Sequence, residues 1–419
     1  MKARNRIAYA PRHAALLGLL VLASSALAQE VIAPPPAVPT APRGFRQIKS
    51  GATEIIAPSE TVSAVPEENP WLEQGLTSVR PHLSYRLLRG DGIQSNLGQP
   101  ATTTIQSIAP GVLFGLGIHW TLDYTPTWTL YSNHTFRDTV DHAASLQGGY
   151  SYGDWSLGIS QSYISASPTL IETGQQTRQE TYSTEINASR RLGIRTRLEV
   201  ALSQSVRFAD AFTSFRDWSA SGWLHDQLSS RLDAAVGLSG GYVNVSAGSD
   251  MTYARPQGQL TWQATDKLSM KIRGGIETRS FRTGGEGDMN SPAWGASVQY
   301  QPVETTTLAL EANRDVTTSY FANQIAKGTG WSASLRQRLL QEFYLSVGAA
   351  QRKTDYVATE GTVTAGRDDR NYAVTLRLST TFLRRGSIAV LYQKSHNSSN
   401  SSGYGFSSNQ FGLEVGYRF

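Results

Sequence analysis

The feature that most constrains this chain is a hydrophobic stripe of period two, repeated from about Thr77 to the last residue. In TRLEVALSQSVRF, Leu198, Val200, Leu202, Val206 and Phe208 share one face. Arg197, Glu199, Ser203, Ser205 and Arg207 share the other. In LSMKIRGGIETR, Leu268, Met270, Ile272 and Ile276 alternate with Lys271, Arg273, Glu277 and Arg279. NYAVTLRLSTTF sets Tyr372, Val374, Leu376, Leu378 and Phe382 against Thr375, Arg377 and Ser379. Strict alternation marks a strand with one apolar and one wet face. These stripes run for ten to thirteen residues, against about five or six in ordinary globular strands.

Tight-turn signals recur at Gly117, Gly153, Gly193, Leu228, Asp266, Pro302, Gln341 and Arg385, every 35 to 45 residues. A period of that size is a structural repeat. Each unit reads as strand, short turn, strand and a longer polar loop. The longer loops include RGDGIQSNLGQPATT, SPTLIETGQQTRQ and VATEGTVTAGRDD. Alternating short and long connections imply two unlike ends. The count is about eighteen strands, from residues 77–88 to 407–419, with sixteen as the alternative.

Such stripes fit a soluble sandwich or a membrane barrel, because both bury or cover alternate residues. Strand length favours the barrel. About twelve residues at ~3.3 Å each, tilted by ~40°, rise roughly 30 Å, enough for an apolar band of about 25 Å. The polar face decides further. It carries basic Arg191, Arg197, Arg207, Lys271, Arg273, Arg279, Arg336, Arg338, Arg352 and Arg377, and acidic Glu199, Asp233, Glu277 and Glu311. In a dry core each charge would cost several kcal/mol, whereas a water-filled lumen preserves most of its solvation. The expectation is an all-β, antiparallel transmembrane β-barrel with these residues lining the lumen, short periplasmic turns and longer outer loops.

Aromatics near strand ends would form girdles at the membrane surfaces. The candidates are Trp120, Tyr131, Tyr150, Tyr152, Trp155, Trp218, Trp262, Trp294, Tyr300 and Phe343. Gln161, Gln204 and Gln351 fall on the apolar face, where an unpaired amide is costly. Either a β-bulge turns these strands or the glutamines lie above the apolar band.

The chain ends in FGLEVGYRF, with Leu413, Val415, Tyr417 and Phe419 on one face. A closed barrel must pair its last strand with its first, because lipid tolerates no open sheet edge. The stripe ending on Phe419 is similar to the C-terminal assembly signal of bacterial outer-membrane proteins, which implies recognition by the barrel assembly machinery.

The other end reads as a leader. Lys2, Arg4, Arg6 and Arg12 precede the apolar run LLGLLVLASSALA, which closes on Ala26-Leu27-Ala28. Basic start, short apolar middle and small-x-small end predict a signal peptide over residues 1–28. The formal net charge is +5. Removing the four leader charges leaves about +1, so a nucleic-acid partner is not expected. There is no cysteine, hence no disulfide framework, thiolate metal site or lipoprotein anchor. Residues 29–76 are proline-rich, as in VIAPPPAVPTAP, and read as an extended periplasmic segment or, alternatively, a lumen plug. The barrel occupies 77–419.

GGYSYGDWSLGISQSYI, LIETGQQTRQETYSTEINAS and RTRLEVALSQSVRF resemble the β-barrel porin 2 family over residues 78 to 419. The resemblance implies an outer-membrane barrel without catalytic residues. Some members of that family are associated with exopolysaccharide export.

Catalytic patterns are missing from the sequence itself. His82, His119, His134, His142, His225 and His396 stand in no nucleophile, zincin or metal-ligand spacing. GEGD at 285–288 and GRDDR at 366–370 read as solvated acidic loop tips rather than calcium loops. No enzyme activity and no cofactor are expected. Rings of Arg and Lys favour anions, unless carboxylates pair with them. The outer loops read as too short to fold inward. The expected function is a porin-like channel for small hydrophilic solutes with mild anion preference. The alternatives are the outer-membrane component of an exopolysaccharide export system, with export proteins as partners, and a structural barrel plugged by 29–76. The expected surroundings are the outer-membrane bilayer and lipopolysaccharide.

Overall fold

The computed structural model describes residues 72–74, 77–282, 287–360 and 366–418. Among them, eighteen long strands form one barrel. The first six are β1 (Thr77–Asn96), β2 (Gln99–Leu116), β3 (Trp120–Tyr131), β4 (Thr139–Tyr152), β5 (Trp155–Ala166) and β6 (Gln179–Arg191). Then come β7 (Thr196–Ala209), β8 (Phe215–Ser229), β9 (Leu232–Val245), β10 (Met251–Thr265), β11 (Leu268–Phe281) and β12 (Met289–Val303). The last six are β13 (Thr306–Thr318), β14 (Gln324–Leu339), β15 (Phe343–Ala358), β16 (Asp368–Phe382), β17 (Gly386–Ser399) and β18 (Phe406–Arg418).

Each strand pairs antiparallel with the next, and β18 pairs antiparallel with β1. At that seam Leu413, Val415 and Tyr417 stand opposite Leu87, Tyr85 and Leu83. The apolar stripe of the last strand thus continues on the first, and the sheet has no open edge. A short strand, Leu72–Gln74, folds back on the start of β1, so the sheet reaches a few residues before Thr77.

The two faces are distinct. Leu202, Val236, Ile276 and Phe411 are 58–65% exposed, as an outward, lipid-directed stripe requires. The opposite rows point inward. Arg207, for example, reaches across the interior to the carbonyl of Ser319. Most of the expected girdle aromatics lie in the outward rows. Tyr131 does not. It is buried inside, stacked on Phe136 and packed among Leu88, Ile93 and Ile105. Its row is opposite that of Trp128 and Leu130, so alternation sends it into the lumen.

Gln161 and Gln351 need no bulge to satisfy their amides. Register is unbroken around Gln161 and Gln351. Thr184 donates to Gln161 Oε1 at 2.5 Å, and Trp331 Nε1 donates to Gln351 Oε1 at 2.9 Å. A cross-strand polar neighbour satisfies each amide.

The short turns cluster at one end and the longer connections at the other. One expected long loop is instead strand. RGDGIQSNLGQPATT belongs to a β1–β2 hairpin whose turn is Leu97–Gly98. Gly92 and Gly98 both take φ of 71°, and Gly92 sits in a register shift between Gly90 and Ile93. Glycine at a bulge lets polar sequence stay in the ladder.

Candidate functional site

The inward rows hold a network of charges in the barrel wall. Arg197 approaches Glu199 at 2.6 Å. His225 lies between Glu199, at 3.4 Å, and Asp233, at 2.9 Å. Glu277 is gripped by Arg255 and Arg279 together. Arg352 meets Asp315 at 2.6 Å. Arg377 and Arg86 share Glu414, at 2.9 and 2.7 Å. Pairs on neighbouring inward positions are where an all-strand wall brings opposite charges together.

Other basic candidates take different partners. Arg207 donates to the carbonyls of Ser319 and Thr213 and lies 3.6 Å over the Tyr320 ring. Arg336 sits over Tyr344. Arg338 donates to the carbonyl of Gln341 at the short-turn end, and exposed Arg191 closes β6 at that same end. Among the described residues, Lys271, Arg273 and Glu311 make no hydrogen bond or ion pair. Glu199 and Glu277 are paired with arginines, while Glu311 faces Arg273 electrostatically without a direct ion pair. Of the stretch 413–419, Leu413, Val415 and Tyr417 form the outward side of the seam. Phe419 lies outside the described residues.

The loop end differs from the sequence expectation. The β5–β6 connection, residues 167–178, folds inward as a small hairpin, with Thr169 opposite Gln176 and Leu170 opposite Gln175. Leu170, Ile171 and Glu172 are almost wholly buried. Ser319 Oγ donates to the Glu172 carboxylate at 2.5 Å, and the Tyr320 N–H donates to it at 2.7 Å. Arg367 Nη1 donates to the Glu172 carbonyl at 2.7 Å. Ile171 packs on Phe406 of β18. A connection judged too short thus reaches elements far around the barrel. Its tip needs only to meet the loops opposite, which lean in as well.

Arg367 is the anchor of that contact. It pairs with Asp369 and lies 3.4 Å over the Tyr404 ring and 4.6 Å over Tyr356. Burial works against its charge, but the Asp369 hydrogen bond and the surrounding tyrosines hold its pKa above the ordinary arginine value. GRDDR is consequently no solvated acidic tip. Its Asp369 is buried and committed to Arg367. GEGD falls partly outside the described residues.

Several site residues carried no distinctive sequence signal. Glu172, Ser319, Tyr320 and Arg367 sit in irregular connections, where periodicity assigns no face. Arg86, Arg255 and Glu414 were legible from alternation, since HLSYRLLRG, TYARPQG and FGLEVGYRF place them on polar rows. His82, 3.3 Å from Asp123, is a further inward pair.

No family model and no curated protein sequence matches the chain. Solved structures do. OccK2 (OpdF) of Pseudomonas aeruginosa is 13% identical with a TM-score of 0.45, covering 81% of this chain and 98% of that one. The outer membrane protein opdK of the same organism is 12% identical with a TM-score of 0.44, covering 82% and 98%. OpdL is 14% identical with a TM-score of 0.43, also covering 82% and 98%.

Proposed function

We propose that this chain is an outer-membrane channel that passes small hydrophilic solutes and favours anions. The observation that carries the reading is the pairing of an apolar outer surface with a charged inner one on a closed wall of eighteen strands. A barrel of this size encloses an aqueous lumen unless something fills it. The hairpin 167–178 narrows the loop end and gives the lumen a waist. Lys271 and Arg273, which make no direct ion pair among the described residues, contribute the positive field for anions.

In this reading residues 1–28 are a cleaved leader, 29–76 a periplasmic segment and 77–419 the barrel. The short turns face the periplasm. Leu413, Val415, Tyr417 and Phe419 act as the assembly signal read by the barrel assembly machinery. The chemistry is transport rather than catalysis. A second reading, resting only on the sequence resemblance of residues 78–419 that no family model matches, is the outer-membrane component of an exopolysaccharide export system. Of residues 29–76 only Leu72–Gln74 is described, paired with the start of β1, and a plug formed by the rest lies outside the described residues.

Swelling of liposomes carrying the refolded protein tests the channel directly. Small neutral sugars and small organic anions should enter, with anions faster at equal size. Exclusion of all small solutes would overturn the channel. Loss of secreted polymer on gene deletion, with uptake intact, would instead favour the export component.

A further inference from the structure

The outward face of β13–β16 carries charge that the transport reading does not use. Cross-strand register sorts its residues into rows. Val347 stands opposite Leu335 and Leu376, and Ala349 opposite Ala333 and Val374. Val374 and Leu376 are 41% and 42% exposed, as lipid-directed residues should be. The next row toward the loops is Trp331, Gln351 and Tyr372. Amphipathic rings of this kind mark a membrane–water boundary. One row further stand Arg314, Thr329, Lys353 and Arg370. The row after that holds Lys327, Asp355 and Asp368.

Like charges face each other here. Lys353 and Arg370 are both exposed and directly opposite. Asp355 and Asp368 are directly opposite in the row above. Such pairs destabilise a sheet. Lys353 meets Asp355 at 2.7 Å, while Arg314 and Arg370 make no ion pair among the described residues. Four cations against two carboxylates leave these two rows with a net charge of +2. Nor do the cations belong to a belt around the whole barrel, since β2–β5 contain neither Lys nor Arg. An anion held between Lys353 and Arg370 would turn their repulsion into a bridge.

The rows on either side describe the molecule that carries this anion. Below the cations come the boundary aromatics and then apolar residues, so the ligand continues into hydrocarbon. Above them come carboxylates, which only accept and therefore suit hydroxyls. A guanidinium fork beside an ammonium suits phosphate oxygens. We propose that the outer face of β14–β16 is a docking site for a phosphorylated glycolipid of the outer leaflet, the chemistry of lipopolysaccharide. One phosphate bridges Lys353 and Arg370, sugar hydroxyls meet Asp355 and Asp368, and acyl chains run along Val374 and Leu376. The site rests on the membrane reading of the outward face, with the loop end outside, and its occupancy can be measured without conduction.

The test is native mass spectrometry of the refolded full-length chain. The probes are bisphosphorylated lipid A, the same lipid freed of phosphate, and phosphatidylglycerol, with inorganic phosphate as competitor. Lipid A should bind about tenfold or more tightly than either other lipid, and inorganic phosphate should not displace it. Lys353→Gln with Arg370→Gln should weaken lipid A by about tenfold or more. Both side chains are exposed, so that variant should fold. Arg216→Gln with Arg282→Gln removes equal charge from exposed positions on β8 and just after β11 and should change affinity much less.

Binding indifferent to removal of the phosphates would overturn the site without recourse to any variant. So would equal weakening by the two double variants, which would reduce the effect to general surface charge. Equal uptake of phosphatidylglycerol would overturn it in favour of any anionic lipid, and displacement by inorganic phosphate in favour of the bare anion. A folded barrel that passes current but ignores lipid A retains the channel and loses the site. One that binds lipid A but passes no current loses the channel and retains the site.

Discussion

Arg86 on the first strand donates two hydrogen bonds to Glu414 on the last, at 2.7 and 3.0 Å, across the seam that closes the barrel. Arg377 of β16 holds the other carboxylate oxygen at 2.9 Å. Backbone pairing closes the sheet, but backbone bonds are indifferent to register. A charge-assisted, two-point contact is not, because a one-residue slip would send Glu414 to the apolar face. The carboxylate is thus a register pin as well as a lumen charge.

Removing that pin should loosen the seam. Glu414→Ala leaves Arg86 and Arg377 side by side without their shared anion and should cost about 2 kcal/mol. The temperature at which the heat-modifiable gel band shifts should fall. Arg86→Ala with Glu414→Ala should cost less than the sum of the single changes, because each single change already breaks the pair. Strict additivity would show that the contact is incidental.

The inward hairpin should set the waist of the lumen. Its grip depends on Glu172, which accepts from Ser319 Oγ and the Tyr320 N–H. Glu172→Ala leaves those two donors without their carboxylate and should let the hairpin swing out. Single-channel conductance should rise, with larger open-state noise. An unchanged conductance from a correctly folded variant would place the narrowest point elsewhere.

One turn is strained in a way that can be relieved. Leu340 and Gln341 carry φ of 49° and 65° in the β14–β15 turn. Left-handed backbone costs a residue with a Cβ roughly 1–2 kcal/mol, and glycine nearly nothing. Gln341→Gly should therefore stabilise the barrel by about 1 kcal/mol, read as a higher gel-shift temperature. A lower one would mean that the Gln341 side chain contributes more than the strain costs.

Much of this architecture can be read from period-two alternation. The stripes through Leu198–Phe208 and Tyr372–Phe382 place their own charges on the inner wall, because a strand offers only two faces. The eight short turns are legible for the same reason, as interruptions of a long rhythm. What alternation cannot reach is the irregular backbone. SPTLIETGQQTRQ looks like any polar surface loop, and only the tertiary fold brings Glu172 to Ser319. The end of the β12–β13 ladder at Trp294–Arg314 is equally silent in the sequence. Tyr131 shows the opposite failure. Its aromatic type suggested a membrane girdle, while its place in the alternation already set it inside.

The central claim is an aqueous, anion-favouring path through this wall. The measurement closest to it is the reversal potential of the refolded barrel in a planar bilayer under a salt gradient. Large steady current steps are predicted, with reversal displaced toward the anion equilibrium potential. Lys271→Gln with Arg273→Gln should move it back toward zero. A cation-leaning reversal, or no current from a barrel shown by spectroscopy to be folded, would contradict the account.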